Sequence, residues 1–150
     1  MVVNHLQEQG YKFIHNKSVG YVCGNFRPDI KIDVGTHFII VEIDEDQHKQ
    51  YDVSCDTARM FNICQAEGLP CIFIRYNPDI YRVNGKAKKV QASRRLATLI
   101  KCIEKYKSMI PTELLTVYRL FYDSNTEDYV CKYDIDAKYE KMIELCQDIQ

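Results

Sequence analysis

At 150 residues, with 27% charged and 46% hydrophobic side chains, the chain has the make-up of one globular domain able to bury a core. No apolar run approaches the ~18 residues of a membrane span and no signal peptide is visible. The net charge of −1 conceals a strong internal asymmetry.

Between Asp29 and Asp56 eight acids (Asp29, Asp33, Glu42, Asp44, Glu45, Asp46, Asp52, Asp56) face only Lys31 and Lys49. Between Lys86 and Lys107 eight bases (Lys86, Lys88, Lys89, Arg94, Arg95, Lys101, Lys105, Lys107) face Glu104 alone. An acidic centre beside a basic flank suits a phosphate polymer, although a solvated helix with an uneven face would look the same. The seven cysteines are scattered and form no C-x-x-C pair, which argues against structural zinc. Their usage points to an intracellular, reducing compartment, cytoplasm or nucleus, with a viral protein among the options. The opening Met1-Val2-Val3-Asn4 leaves open that residues 1–150 are the C-terminal part of a longer protein.

The pattern predicts an α/β order. Val2–Gln9 reads as a short helix ended by Gly10, followed by short strands at Tyr11–His15 and Tyr21–Cys23. Asp29–Val34 and His37–Asp44 alternate or are β-branched, and Gly35-Thr36 between them suits a two-residue type II′ hairpin turn. A helix capped by Ser54 runs to Glu67, where Gly68-Leu69-Pro70 stops it. Cys71–Arg75 is a continuous apolar strand suited to a sheet interior, broken at Asn77-Pro78-Asp79. Within Lys86–Lys107, Leu96, Leu99, Ile100, Ile103 and Tyr106 fall at helical spacing. Leu114–Tyr122 and Asp128–Tyr133 read as strands, and Ala137–Gln147 as a last helix. A mixed central sheet with helices on both faces is expected.

The hairpin carries the chemistry. The turn sets Val34 opposite His37, and that register brings Asp29 opposite Glu42, with Cβ atoms about 5 Å apart. Asp44, two residues on, points to the same face, while Ile30, Ile32, Ile39, Val41 and Ile43 take the other. Three acids beside a dry core are costly without a cation or partner.

A Pro28-Asp29 pair, twelve residues, then Glu42-Ile43-Asp44 on an apolar strand resembles the PD-(D/E)XK signature of the restriction-endonuclease-like nucleases. The tail Glu42-Ile43-Asp44-Glu45-Asp46-Gln47-His48 is similar to the branch related to very-short-patch repair endonucleases. Similar Arg-Pro-Asp … Glu-x-Asp-Glu-x-Gln-His segments with a later Arg-[aromatic]-Asn-Pro-Asp, here Arg75-Tyr76-Asn77-Pro78-Asp79, occur in proteins of large DNA viruses and algae. The resemblance covers Leu6 to Asp79, with Arg94 to Tyr106 fitting a following helix. It implies a core in α-β-β-β-α-β order and Mg²⁺-dependent hydrolysis of DNA phosphodiesters (Mn²⁺ substituting), leaving 5′-phosphate ends. One residue departs from the signature: its lysine is Asp44 here, with Lys31 on the Asp29 face as a candidate replacement.

Each candidate has a plainer alternative. Asp29 and Glu42 are metal ligands or a solvated sheet-end pair. Asp44 is a third ligand or a neutraliser of Arg27. Glu8 is a further acid for the cluster, as the resemblance implies, or a surface residue. His48 polarises water or contacts the scissile phosphate, or is a loop residue. Arg75, charged at the end of an interior strand, needs a partner: a site carboxylate, a DNA phosphate or Asp79. Arg82, Lys86, Lys88, Lys89, Arg94 and Arg95 are candidates for phosphate contact. With eleven tyrosines in the chain, Tyr51, Tyr76 or Tyr81 taken singly is poor evidence of a nucleotide contact. The expected partner is DNA, with a homodimer left open. A binding module that kept the fold and lost catalysis is the alternative, and a small-diester phosphoesterase is the third reading.

Overall fold

The computed structural model describes residues 1–17, 26–50 and 53–133. In chain order it contains α1 (Val2–Glu8), β1 (Ile14–His15), β2 (Ile30–Asp33) and β3 (Phe38–Ile43). Next come α2 (Val53–Glu67), β4 (Cys71–Tyr76), the short strands β5 (Tyr81–Val83) and β6 (Lys86–Lys88), α3 (Ala92–Lys107), β7 (Leu115–Leu120) and β8 (Val130–Tyr133). The strand expected at Tyr21–Cys23 and the helix at Ala137–Gln147 lie outside the described residues. Ser54 falls one residue inside α2 rather than at its cap.

Six strands form one mixed sheet in the order β1-β2-β3-β4-β7-β8. β2 and β3 are antiparallel, β3–β4 and β4–β7 are parallel, and β1 and β8 close the edges antiparallel. Gly35, at φ +92°, makes the β2–β3 turn that a side chain would strain. The ladder runs from Ile30↔Val41 to Asp33↔Phe38, and Val34 N donates to His37 O. This is the register the turn predicts.

Alternation then sorts the side chains into two cores. Ile39 and Val41, with Ile72 and Ile74 of β4, pack under α1 and α3 together with Leu6, Leu99 and Ile103. Phe38, Ile40, Cys71 and Phe73 pack under Met60, Ile63 and Cys64 of α2. Ile39, Ile40, Val41, Ile72, Phe73 and Ile74 have no exposed surface, and each such burial contributes roughly 1.5–3 kcal/mol. The same alternation carries Asp29, Glu42 and Arg75 onto the α2 face, just past the dry core. Among the described residues no helix is long and apolar enough to cross a membrane.

One element departs from expectation. Lys86 to Lys88, placed by the sequence in the segment Lys86–Lys107 that contains a helix, is instead a strand that pairs with Tyr81–Val83 in the β5–β6 hairpin. Asn84 at φ +48° and Gly85 at φ +76° form its turn. An Asn-Gly pair with both φ positive is the chemistry of a type I′ hairpin.

Candidate functional site

One step beyond the β2–β3 ladder, Asp29 faces Glu42. The Asp29 side chain is fixed from β3, because Ile43 N donates to its Oδ2 at 2.8 Å. Glu42, 4% exposed, accepts from Arg59 Nη1 at 2.9 Å, and Arg59 Nη2 reaches Arg27 O at 3.3 Å. The second oxygens, Asp29 Oδ1 and Glu42 Oε2, have no hydrogen-bond partner among the described residues. Both carboxylates line a cleft of about 410 Å³ together with Arg27, His48, Asp56 and Arg59. Burial pushes the Glu42 carboxyl up to about 7; the Arg59 charge pulls it down and the Asp29 charge pushes it further up.

Across β3 and β4, Glu42 is the register partner of Arg75. Arg75 does not bond to it. Its Nε donates to Asp44, its Nη1 to Asp56, and its Nη2 stands 3.0 Å from His48 Nδ1. Burial works against the Arg75 charge, but the hydrogen bond and charge of Asp44 and the charge of Asp56 outweigh it and hold the guanidinium protonated. Asp44 is fully buried and also accepts from Tyr122 Oη. Its other oxygen, Oδ1, lies 3.2 Å from His48 Nδ1 without hydrogen-bond geometry. Burial first, then the Asp44 charge, push the Tyr122 hydroxyl well above the usual phenol range.

His48 is delivered by a strained turn. After β3, Asp46, Gln47 and His48 take φ of 49°, 58° and 51°, a left-handed run that costs roughly 1–2 kcal/mol per residue. The turn is held from two directions. Asp46 N donates to Asp79 Oδ2 at 2.8 Å, and Gln47 exchanges two bonds with Asp123, at 2.9 and 2.8 Å. A guanidinium has no acceptor, so the Arg75 contact makes His48 Nδ1 an acceptor. In the neutral ring the proton then sits on Nε2.

Several expectations are corrected. Glu8 does not join the cluster: its side chain is 73% exposed and, among the described residues, its one charged neighbour is His5 at 3.9 Å. Its helix packs on the face opposite α2, and Gln9 at the helix end lines a cavity with Asp33, at the other end of β2 from Asp29. Asp44 faces Arg75 and Tyr122 rather than the Asp29–Glu42 cleft, and does not neutralise Arg27. Lys31 pairs with Glu67 at 2.5 Å, so it does not stand in for the missing lysine. Arg75 finds carboxylates, and Asp79 is not one of them. Arg95 is 3% exposed, wrapped by the carbonyls of Val90, Asn77 and Asp79, so it is not part of the exposed basic surface the sequence suggested.

The other basic candidates stay on the surface. Arg82, Lys86, Lys89 and Arg94 are exposed, and Lys88 lies 3.3 Å from Glu127. The β5–β6 hairpin is tied to the His48 turn through Asp123, which accepts from Arg82 N at 2.7 Å as well as from Gln47. Sequence reasoning missed Arg59, Tyr122 and Asp123, and gave Asp56 no role beyond its charge. Asp56 and Arg59 stand three apart on the helix following the acidic strand, a spacing that places them on one face. No local signal marks Tyr122, which meets Asp44 across 78 positions of sequence.

Among the described residues no group of three or more His, Cys, Asp or Glu side chains is arranged to hold a metal ion. Asp29 and Glu42 alone, each with an uncommitted oxygen, fit a hard cation that keeps most of its water, the usual habit of Mg²⁺, but not a closed protein cage. No protein-family model, no curated protein and no solved structure matches this chain.

Proposed function

We propose that the chain is a metal-dependent nuclease of restriction-endonuclease-like fold that hydrolyses phosphodiester bonds in DNA. The observation that carries the reading is the facing pair Asp29 and Glu42, with uncommitted oxygens on a polar cleft. The order α1-β1-β2-β3-α2-β4 supports it, since it repeats the core order the resemblance implies.

Asp29 and Glu42 would hold Mg²⁺, or Mn²⁺ in its place, which when bound would activate water and stabilise charge on phosphate oxygens. Glu42 must first lose its proton, and burial makes that happen near neutral pH. Arg59, now on Glu42 in the wall of the cleft, is a cation able to turn to a phosphate oxygen and take the place of the missing lysine. His48, held beside Arg75 in the wall of the cleft, is placed to contact a phosphate or leaving oxygen. Arg75 positions His48, Asp44 and Asp56. Arg27 and the β5–β6 hairpin offer exposed charge to the flanking backbone. The resemblance implies 5′-phosphate and 3′-hydroxyl ends.

A second reading, an inactive nucleic-acid-binding module, draws on the same charges: Arg59 already neutralises Glu42, and Arg75 already neutralises Asp44 and Asp56. Supercoiled plasmid incubated with Mg²⁺ or Mn²⁺ separates the readings. Nicking or linearisation by the wild type, lost in Asp29→Ala and Glu42→Ala, supports the nuclease. DNA binding without cleavage supports the module, and hydrolysis of small diesters alone contradicts both.

A further inference from the structure

A second cavity, of about 390 Å³, opens on the other face of the sheet from the Asp29–Glu42 cleft. Tyr76, Pro78, Val90, Gln91, Ala92 and Arg95 line it. Three features of this wall are left electrically or chemically unfinished.

The first is Arg95. Its guanidinium is buried, bonds only to backbone carbonyls, and has no carboxylate partner among the described residues. Stacking against Tyr81 and Phe121, with ring centroids at 5.5 and 4.7 Å, softens the cost of that charge without cancelling it. Three bonds also leave some of its five N–H donors uncommitted. The second is Tyr76, fully buried, whose hydroxyl has no hydrogen-bond partner among the described residues. A buried hydroxyl without a partner costs about 1–3 kcal/mol, and native structures rarely leave one so without reason. The third is the N-terminus of α3. Gln91 stands at the cap but makes no side-chain cap bond, and the first bond into the helix is Arg95 N to Gln91 O. The N–H groups of Ala92, Ser93 and Arg94 therefore point out of a sixteen-residue helix with no intrahelical acceptor.

A buried cation with no carboxylate bonded to it, an unpartnered donor and an uncapped helix start line one hollow, and together they favour an anion. We propose that this cavity binds a phosphate group, with the ester's organic portion packed on Pro78, Val90 and Ala92. Its volume lies within the roughly 300–1,000 Å³ of small-ligand sites and suits a nucleotide-sized ligand. The Asn77–Asp79 turn forms a wall shared with the first site: carbonyls of Asn77 and Asp79 hold Arg95, while the Asp79 side chain holds the His48 turn. The phosphate could belong to a free nucleotide or to the 5′ end of a nucleic acid strand. The proposal does not depend on whether the chain cleaves DNA.

The test is calorimetric titration in EDTA, which silences any metal-dependent binding at Asp29 and Glu42. Ligands are inorganic phosphate, a nucleoside 5′-monophosphate, and one oligonucleotide with either a 5′-phosphate or a 5′-hydroxyl. Two variants locate the site. Tyr76→Phe removes only the unpartnered hydroxyl and should weaken phosphate binding roughly tenfold. Gln91→Asp supplies a cap carboxylate where the anion would sit; it should abolish binding while leaving the ligand-free melting temperature equal or higher. Tighter binding of the 5′-phosphorylated than of the 5′-hydroxyl oligonucleotide identifies a strand terminus as the source. Binding of phosphate and monophosphate with no such difference identifies the free ligand. Absence of binding by every phosphate-bearing ligand overturns the proposal, as does wild-type affinity in both folded variants.

Discussion

Glu42 and Arg75 are paired directly across the parallel strands β3 and β4, yet each bonds to something else: Glu42 to Arg59, Arg75 to Asp44 and Asp56. The site therefore contains two charge systems side by side. One is open to the cleft and exchangeable; the other is buried and structural.

The buried system makes a stability prediction. Arg75→Met leaves Asp44 without its main counter-charge in a fully buried position, and should cost about 3–5 kcal/mol. Adding Asp44→Leu, which removes the stranded charge, should recover part of that loss. Urea unfolding of both variants checks this; equal stability of Arg75→Met and wild type would mean that Asp44 is not charged in the native state.

The open system predicts a pH dependence. Glu42 ionises near 7 in the folded chain against 4.5 ordinarily. The native state thus keeps a proton that the unfolded chain gives up between these values. Stability falls as pH rises from about 4.5 to about 7 and then levels, by on the order of 3 kcal/mol from this group. Unfolding of Glu42→Gln over the same range should lack that component. Cation affinity should move the opposite way, rising about tenfold per pH unit up to about 7 as the competing proton leaves.

His48 and Asp123 act on different parameters. His48→Ala should lower cleavage by roughly a hundredfold with little change in DNA affinity, since a single donor to a charged transition state acts on that scale. Asp123→Ala removes the side-chain bonds to Gln47 Nε2 and Arg82 N, and leaves the bond from Asp123 N to Gln47 Oε1. It should reduce cleavage less and increase hydrogen exchange in the turn. Single-turnover rates beside binding curves distinguish the two.

Exposed charge on the hairpin predicts a salt effect. Arg82→Ala with Lys86→Ala should reduce the slope of log affinity against log salt by about 0.9 per lost phosphate contact. A slope unchanged in the double variant would place the DNA elsewhere.

Much of this was legible in the chain because it depends on local rules. Alternation and the Gly35 turn dictate the β2–β3 register, and from it the meeting of Asp29 with Glu42. Arg95 was legible too, but was misread. It lies four residues before Leu99 and seven before Cys102, on the buried stripe of α3, so periodicity already placed it inside. Asn84-Gly85 likewise announced a hairpin that the run of lysines obscured. Other features were out of reach. Tyr122 reaches Asp44 only because β7 lies beside β4 in the sheet, and the Arg59–Glu42 pair depends on how α2 docks. Glu8 failed for a similar reason: nothing in a seven-residue helix says which end of the sheet it will cover.

Central to the account is a divalent cation seated between Asp29 and Glu42. Crystals soaked in Mn²⁺ and measured for anomalous scattering address it directly. The account predicts a peak bonded to both carboxylates, with Arg59 displaced from Glu42. No peak at saturating Mn²⁺, with the Arg59–Glu42 pair intact, would contradict it.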